Sequence, residues 1–243
     1  MNTYASKDQM VELGTSLLKA LVGIEDAPKA RVQELIENPA HVKEVARIIT
    51  VLPLPQETLG KSTEPQLASW VSLYAEMDIT LDPSEVKIPS RKKGFNHLIV
   101  VAKGMTAQKA YGLCKQRFSA WKYTDNDLDT AVPTNDRTAD NAPYAVWVRD
   151  RQEADEELKN KSADDLAEEG IKGITLTERL LLELKFHKET GTHMDIRNWT
   201  LCSGSRYSDG DVPCVHWSDS KLLVYWSCSN NRFSDLRSRA VSL

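Results

Sequence analysis

Cys214-Val-His-Trp-Ser-Asp-Ser-Lys-Leu-Leu-Val-Tyr-Trp-Ser227 holds two alternating runs around a polar pair. Val215 and Trp217 alternate with Cys214, His216 and Ser218. Leu222, Val224 and Trp226 alternate with Leu223, Tyr225 and Ser227. A period of two is that of β-strands, whose successive side chains point to opposite faces. Asp219-Ser220 supplies the turn, so the stretch predicts a hairpin. Its Val, Leu and Trp face is expected to be buried, at roughly 2 kcal/mol per large side chain. The Cys, His, Ser, Leu and Tyr face is expected to point outward.

A short repeat flanks the hairpin. Cys202-Ser-Gly-Ser-Arg-Tyr-Ser-Asp209 and Cys228-Ser-Asn-Asn-Arg-Phe-Ser-Asp235 share the pattern C-S-x-x-R-[YF]-S-D. A duplication, similar loop roles and coincidence in a Ser-rich region all account for it. No Glu follows Glu189 and no Gln follows Gln152, while Ser, Asp, Asn and Tyr fill the segment. Such a mixture supplies rigid amphipathic contact area together with adaptable hydrogen bonds, as in paratopes.

Upstream, Thr175-Leu-Thr-Glu178 has capping-box spacing and opens a helix through Leu180, Leu181, Leu184 and His187, which Gly191 stops. Ser162 breaks the acidic stretch 152–169. Pro143 to Arg149 and His97 to Val101 read as strands, and Thr106 caps a helix between them. The polar, proline-interrupted residues 124–142 read as a loop. Asp82 to Gly94, with Pro83, Pro89 and Arg91-Lys92-Lys93, is the expected boundary. Before it, Ser6 to Gln9 cap a helix carrying Met10, Leu13, Leu17 and Leu21. Pro28 and Pro39 suit first turns, and Thr63-Glu64-Pro65-Gln66 opens a helix carrying Leu67, Trp70, Val71 and Tyr74. The expected architecture is α+β: a helical region over 1–90, then an α+β domain over 91–243.

Composition narrows the function. At 41% hydrophobic and 27% charged, the 243-residue chain can bury a real core. Residues 1–90 hold 8 basic and 13 acidic side chains, and residues 91–243 hold 23 and 22. Neither half has the basic excess that phosphate neutralisation needs, so nucleic acid is not expected as a partner. No apolar run approaches the roughly 20 residues that span a bilayer, and no signal sequence precedes Lys7. A soluble, cytoplasmic protein is expected, with a phage particle or the cell surface open by a signal-independent route.

Cys114, Cys202, Cys214 and Cys228 read as free thiols, since no pair has zinc-site spacing. Asp125-Asn-Asp-Leu-Asp129 imitates a calcium loop, but Thr130 and Asp136 stand where Gly and Glu belong; Asx turns and a helix cap are the alternative. Asp150, Arg151, Glu153 and Asp155 could form an acid/base group, or simply charge a helix start. His187 and His193 lack a nucleophile partner. No cofactor is implied, and no catalytic residue is assigned.

The order strand, two helices, terminal strands resembles the C-type lectin fold. The helix Thr175-Leu-Thr-Glu-Arg-Leu-Leu-Leu-Glu-Leu184 resembles the T-E-x-E helix of its formylglycine-generating-enzyme-like branch. Leu236-Arg-Ser-Arg-Ala-Val241 resembles that branch's final strand. The chain departs from the pattern in having no G-G-S-W segment and in carrying Asp235 where the family has Gly. The resemblance extends to the variable proteins of diversity-generating retroelements, which carry ligand-binding residues near their C-terminus, and to uncharacterised bacterial proteins with similar L-C-S-G-S-R-Y-S-D-G segments.

The resemblance implies a C-type-lectin-like domain whose strand at 143–149 pairs with the terminal strand near 236–242. It also implies a ligand-binding display protein for an unknown protein or surface ligand, with homo-oligomerisation left open. The expected contact set is Ser205, Tyr207, Asp211, Cys214, His216, Ser218, Asp219, Leu223, Tyr225, Ser227, Ser229, Asn230, Asn231 and Phe233. His216, Tyr225, Asn230, Asn231 and Phe233 are expected to form one exposed surface over buried Trp217, Val224 and Trp226. The competing readings are a structural or assembly subunit acting through the helical N-terminal region, and an enzyme using the Asp150–Asp155 carboxylates.

Overall fold

A computed structural model of the protein describes residues 63–243. The helices expected between Ser6 and Ile49 lie outside the described residues. The described part is mixed α+β.

The C-terminal hairpin forms as its alternation predicts. Strands β7 (Val212–Ser218) and β8 (Lys221–Ser227) pair antiparallel, with Cys214 opposite Tyr225 and His216 opposite Leu223. Asp219 and Ser220 make the two-residue turn, both with positive φ (49° and 59°). That is type I′ geometry built without the Asn-Gly that relieves it. Asp219→Asn with Ser220→Gly is therefore expected to stabilise the fold by about 1 kcal/mol. A raised denaturant midpoint at unchanged slope is the expected reading.

Around the hairpin stands a five-stranded sheet in the order β2-β8-β7-β5-β9, where β2 is Ala120–Lys122, β5 is Trp199–Leu201 and β9 is Leu236–Ser238. The β2–β8 and β5–β9 pairs are parallel. The sheet's inner face, with Val215, Leu222 and Val224, packs into the main core. Strands β1 (His97–Val101) and β4 (Tyr144–Val148) pair antiparallel and are buried on both faces, as near-continuous apolar runs require.

Two helices contribute most to this core. Helix α2 (Ala107–Arg117) is capped by Thr106, whose Oγ1 accepts from the Lys109 N–H at 3.3 Å. Helix α5 (Leu176–Thr190) opens with both bonds of its capping box: the Thr175 N–H donates to Glu178 Oε2 at 2.8 Å, and the Glu178 N–H donates to Thr175 Oγ1 at 3.2 Å. Gly191, at φ 69°, takes the left-handed position that ends it.

Helix α5 is buried over Leu176 to Lys185, and its charged residues there are paired. Arg179 donates to Glu183 at 2.8 Å and to Asp195 at 2.9 Å, while Arg239 donates to Asp195 at 2.7 Å. Asp195 also accepts from Thr200 Oγ1 at 2.5 Å. This neutral set of two guanidiniums and two carboxylates, all at most 1% exposed, ties α5 to the 193–195 loop, β5 and the chain's last segment.

Residues 82–94 run between elements that pack on each other. Helix α1 (Thr63–Ala75) packs on β1, with Trp70 Nε1 donating to the Leu98 carbonyl and the Tyr74 hydroxyl to that of Val100, both at 2.7 Å. The segment after it is docked too, since Trp147 Nε1 donates to the Pro89 carbonyl at 2.8 Å and Arg91 lies over the Trp147 ring. The expected pairing of β4 with the terminal strand is made at one point only. Trp147 and Ser242 exchange two backbone hydrogen bonds, of 3.1 and 2.8 Å, whereas β9 belongs to the five-stranded sheet. Residues 124–142 also hold more structure than a loop: a helical turn, α3 (Leu128–Ala131), and β3 (Thr134–Asn135), which pairs with β6 (Ser205–Arg206).

Candidate functional site

The hairpin's outer face carries two different environments. At one end, Leu201, Val212, Cys214 and Leu236 form a second small core with Ala163 of helix α4 (Ala163–Glu168). Cys214 and Ser227 are therefore buried, at 3% and 5% exposure, and cannot contact a ligand as expected. A covering layer that no alternation pattern reveals is the reason. Ser205 is buried for another purpose: its hydroxyl accepts from the Leu176 N–H at 2.9 Å and donates to Asn135 Oδ1 at 2.6 Å, holding the start of α5.

The other end is open and aromatic. Tyr225 on β8 meets Trp121 and Tyr123, with ring centroids 5.7 and 5.3 Å apart. Trp121 lies beside Leu223 in the parallel β2–β8 register. Trp199 of β5 stacks on His216 at 3.3 Å and meets Tyr225 edge-on at 6.1 Å. Trp121, Tyr123 and Tyr225 are 43%, 52% and 36% exposed. Large aromatic rings in water hold unrealised burial free energy, which a partner surface can recover.

The remaining expected residues are spread over the strands, the turn and two loops. His216, Ser218 and Leu223 are half-buried on the strands, and Asp219 is exposed at the turn. Tyr207 and Asp211 are half-buried, with the Tyr207 N–H donating to the Asp211 carbonyl at 2.7 Å and the Tyr207 hydroxyl to that of Tyr225 at 3.3 Å. Asn230 and Phe233 are exposed on the 228–235 loop, while Ser229 and Asn231 are half-buried. That loop is latched to α4. The Asp164 N–H donates to the Ser229 carbonyl at 3.1 Å, and Arg232 forks onto Asp165 at 2.5 and 2.7 Å. The two copies of the C-S-x-x-R-[YF]-S-D pattern are not structurally equivalent: Cys202 is buried and Arg206 lies on β6, whereas Cys228 is exposed and Arg232 lies in the loop.

Of the expected buried layer, Val224 is fully enclosed, but Trp217 and Trp226 are half-buried. Trp217 lies at the sheet margin, stacked on His193 at 3.2 Å with Phe118 edge-on, and Trp226 turns toward Tyr123.

His216 is the imidazole of the open patch. Burial lowers its pKa to about 4 from 6.5, and its Nε2 is enclosed without a hydrogen-bond partner. The ring is therefore neutral where it stacks on Trp199. Between pH 6.5 and 4 the unfolded chain takes up a proton that the folded one does not, so stability falls as the pH falls through that window. His216→Phe is expected to flatten that part of the denaturation-midpoint profile relative to the parent chain.

The other candidate chemistry is structurally engaged. Asp155 is buried against Arg149 at 2.5 Å and accepts from the Ala240 N–H; Glu153 accepts from the Arg197 and Asn198 backbone; Arg151 pairs with Glu157. Asp150 faces His97 at 3.5 Å, so each acid of the group has a structural partner. Asp127 Oδ1 caps α3 through the Asp129 N–H, and Asp129 accepts from the Gln108 N–H, so these aspartates serve as caps. Burial raises the thiol pKa values of Cys114, Cys202 and Cys214, which keeps them protonated. Among the described residues no group of three His, Cys, Asp or Glu side chains is placed to hold a metal ion. No described helix is long and apolar enough to cross a membrane.

Trp121, Tyr123 and Trp199 were not among the expected contacts. The Trp-x-Tyr spacing of the first two is a two-residue period, but too short to announce a strand. Their partner strand lies about a hundred positions along the chain, beyond any local pattern. No family model, curated protein or solved structure matches the chain.

Proposed function

We propose that the protein is a ligand-binding display protein with a C-type-lectin-like domain, the variable protein of a diversity-generating retroelement. Its contact surface is the open end of the sheet's outer face: Trp121, Tyr123 and Tyr225, flanked by Leu223 and Asp219. The exposed aromatic cluster is the observation that carries the reading. Tyr and Trp concentrate at the energetic centres of macromolecular interfaces, where their apolar bodies are buried and their polar edges still find partners. A protein or surface ligand suits such a patch. The order of elements and the Trp147–Ser242 pairing support the lectin-like reading.

Sequencing the locus tests the retroelement assignment. A reverse transcriptase gene is expected beside a near-copy of the coding end, differing from it at adenines within the codons for residues 214–234. A locus without such a copy would overturn the assignment.

A further inference from the structure

A second concave site lies away from the aromatic patch, between α4 and the β3–β6 pair. The cleft has a volume of about 300 Å³. One wall is apolar, made by Leu166, Ala167 and Ile171; the other carries Lys172 and Arg206, with Asp136 as its single carboxylate. Asp136 is already turned to Arg137, at 3.9 Å. Arg206 is half-buried and pre-set: its Nη1 donates to the carbonyls of Ser203 and Ser205, at 2.8 Å each, which fixes the guanidinium plane. Neither Arg206 nor Lys172 forms an ion pair among the described residues. The α4 carbonyls at this end are occupied, those of Leu166 and Ala167 by the Ile171 and Gly170 N–H groups, so they oppose an incoming anion little.

We propose that this cleft binds a small organic anion, with its carboxylate or phosphate held by Arg206 and Lys172 and a short apolar body laid against Leu166 and Ile171. A fixed guanidinium plane is suited to paired acceptor oxygens, and the lysine adds a point charge on a mobile stem. The volume lies at the lower end for small-molecule sites, roughly 300–1,000 Å³. The site stands independently of the display reading, since none of its residues belongs to the aromatic patch.

The test is a chemical-shift titration of the full chain with benzoate, phenyl phosphate and uncharged benzamide. Both anions are expected to saturate with dissociation constants of about 1 mM or tighter. Their shifts should centre on Gly170 to Lys172 and on Gly204. Benzamide, nearly the same shape without the charge, should bind at least about tenfold more weakly. Lys172→Gln, at an exposed position, should weaken both anions several-fold, and Trp121→Ala should leave them unchanged. Equal binding of benzamide, wild-type affinity in the Lys172→Gln protein, or shifts centred elsewhere would each overturn the proposal. Benzoate binding without phenyl phosphate binding would restrict the site to carboxylates; the reverse would restrict it to phosphate esters.

Discussion

Asp195→Ala is expected to destabilise the protein by about 3–5 kcal/mol, because it leaves buried Arg239 without a carboxylate and Arg179 with Glu183 alone. Asp195 is fully buried and bonded to Arg179, Arg239 and Thr200 at once. Removing it strands positive charge where water cannot reach, a far larger effect than losing one surface pair. Asp195→Asn, which keeps the shape and removes the charge, should recover only a small part of the loss. Denaturant midpoints of the two variants check both statements. The same residue sets an acid limit. Burial alone would raise its pKa, but Arg239 and Arg179 outweigh burial and hold it below 3.8. Its contribution is therefore complete above the ordinary carboxylate range and is lost as the pH falls through its depressed folded value.

The second large effect is truncation. A chain shortened to begin at Lys92 is expected to lose cooperative thermal unfolding. It would lack Trp70, Leu73 and Tyr74, each at most 1% exposed, and would open the face of β1 that they cover. Removing one such aromatic by alanine substitution costs about 3–5 kcal/mol, comparable with the whole stability of many domains. The Leu98 and Val100 carbonyls would also lose the Trp70 and Tyr74 donors. Calorimetry of the shortened chain beside one that begins at Leu59 is the check. A sharp transition in the shorter chain would show that α1 is dispensable to the core.

What could be read in advance was what short-range chemistry determines. The β7–β8 hairpin follows from side-chain alternation, the start of α5 from the Thr175–Glu178 spacing, and its end from the left-handed tolerance of Gly191. Three features depend on pairings distant in the chain, and no local pattern encodes them. Trp121 and Tyr123 carry no pattern that marks them as a strand until β2 is placed beside β8. Arg179, Glu183, Asp195 and Arg239 read individually as surface charges, and only the fold makes them a closed set. Cys214 and Ser227 point to the outer face as alternation requires, yet α4 covers that end of it. The proline- and lysine-bearing segment 82–94 has a linker's composition, yet its backbone meets Trp147 and β4 and Arg91 lies over the Trp147 ring.

The way the 228–235 loop is fastened bears on how far its sequence can drift. Its bond from the Asp164 N–H is accepted by a main-chain carbonyl, at Ser229, which every amino acid possesses. The one side chain that anchors the loop by a charged fork is Arg232, while Asn230 and Phe233 face water. Mutational tolerance should consequently be uneven over a few adjacent codons. Positions 230 and 233 are free to explore chemistry with the loop's path preserved, whereas exploration and foldability compete at 232 and, through the Ser229 and Asn231 side-chain bonds to Asp164 and Ser227, at 229 and 231.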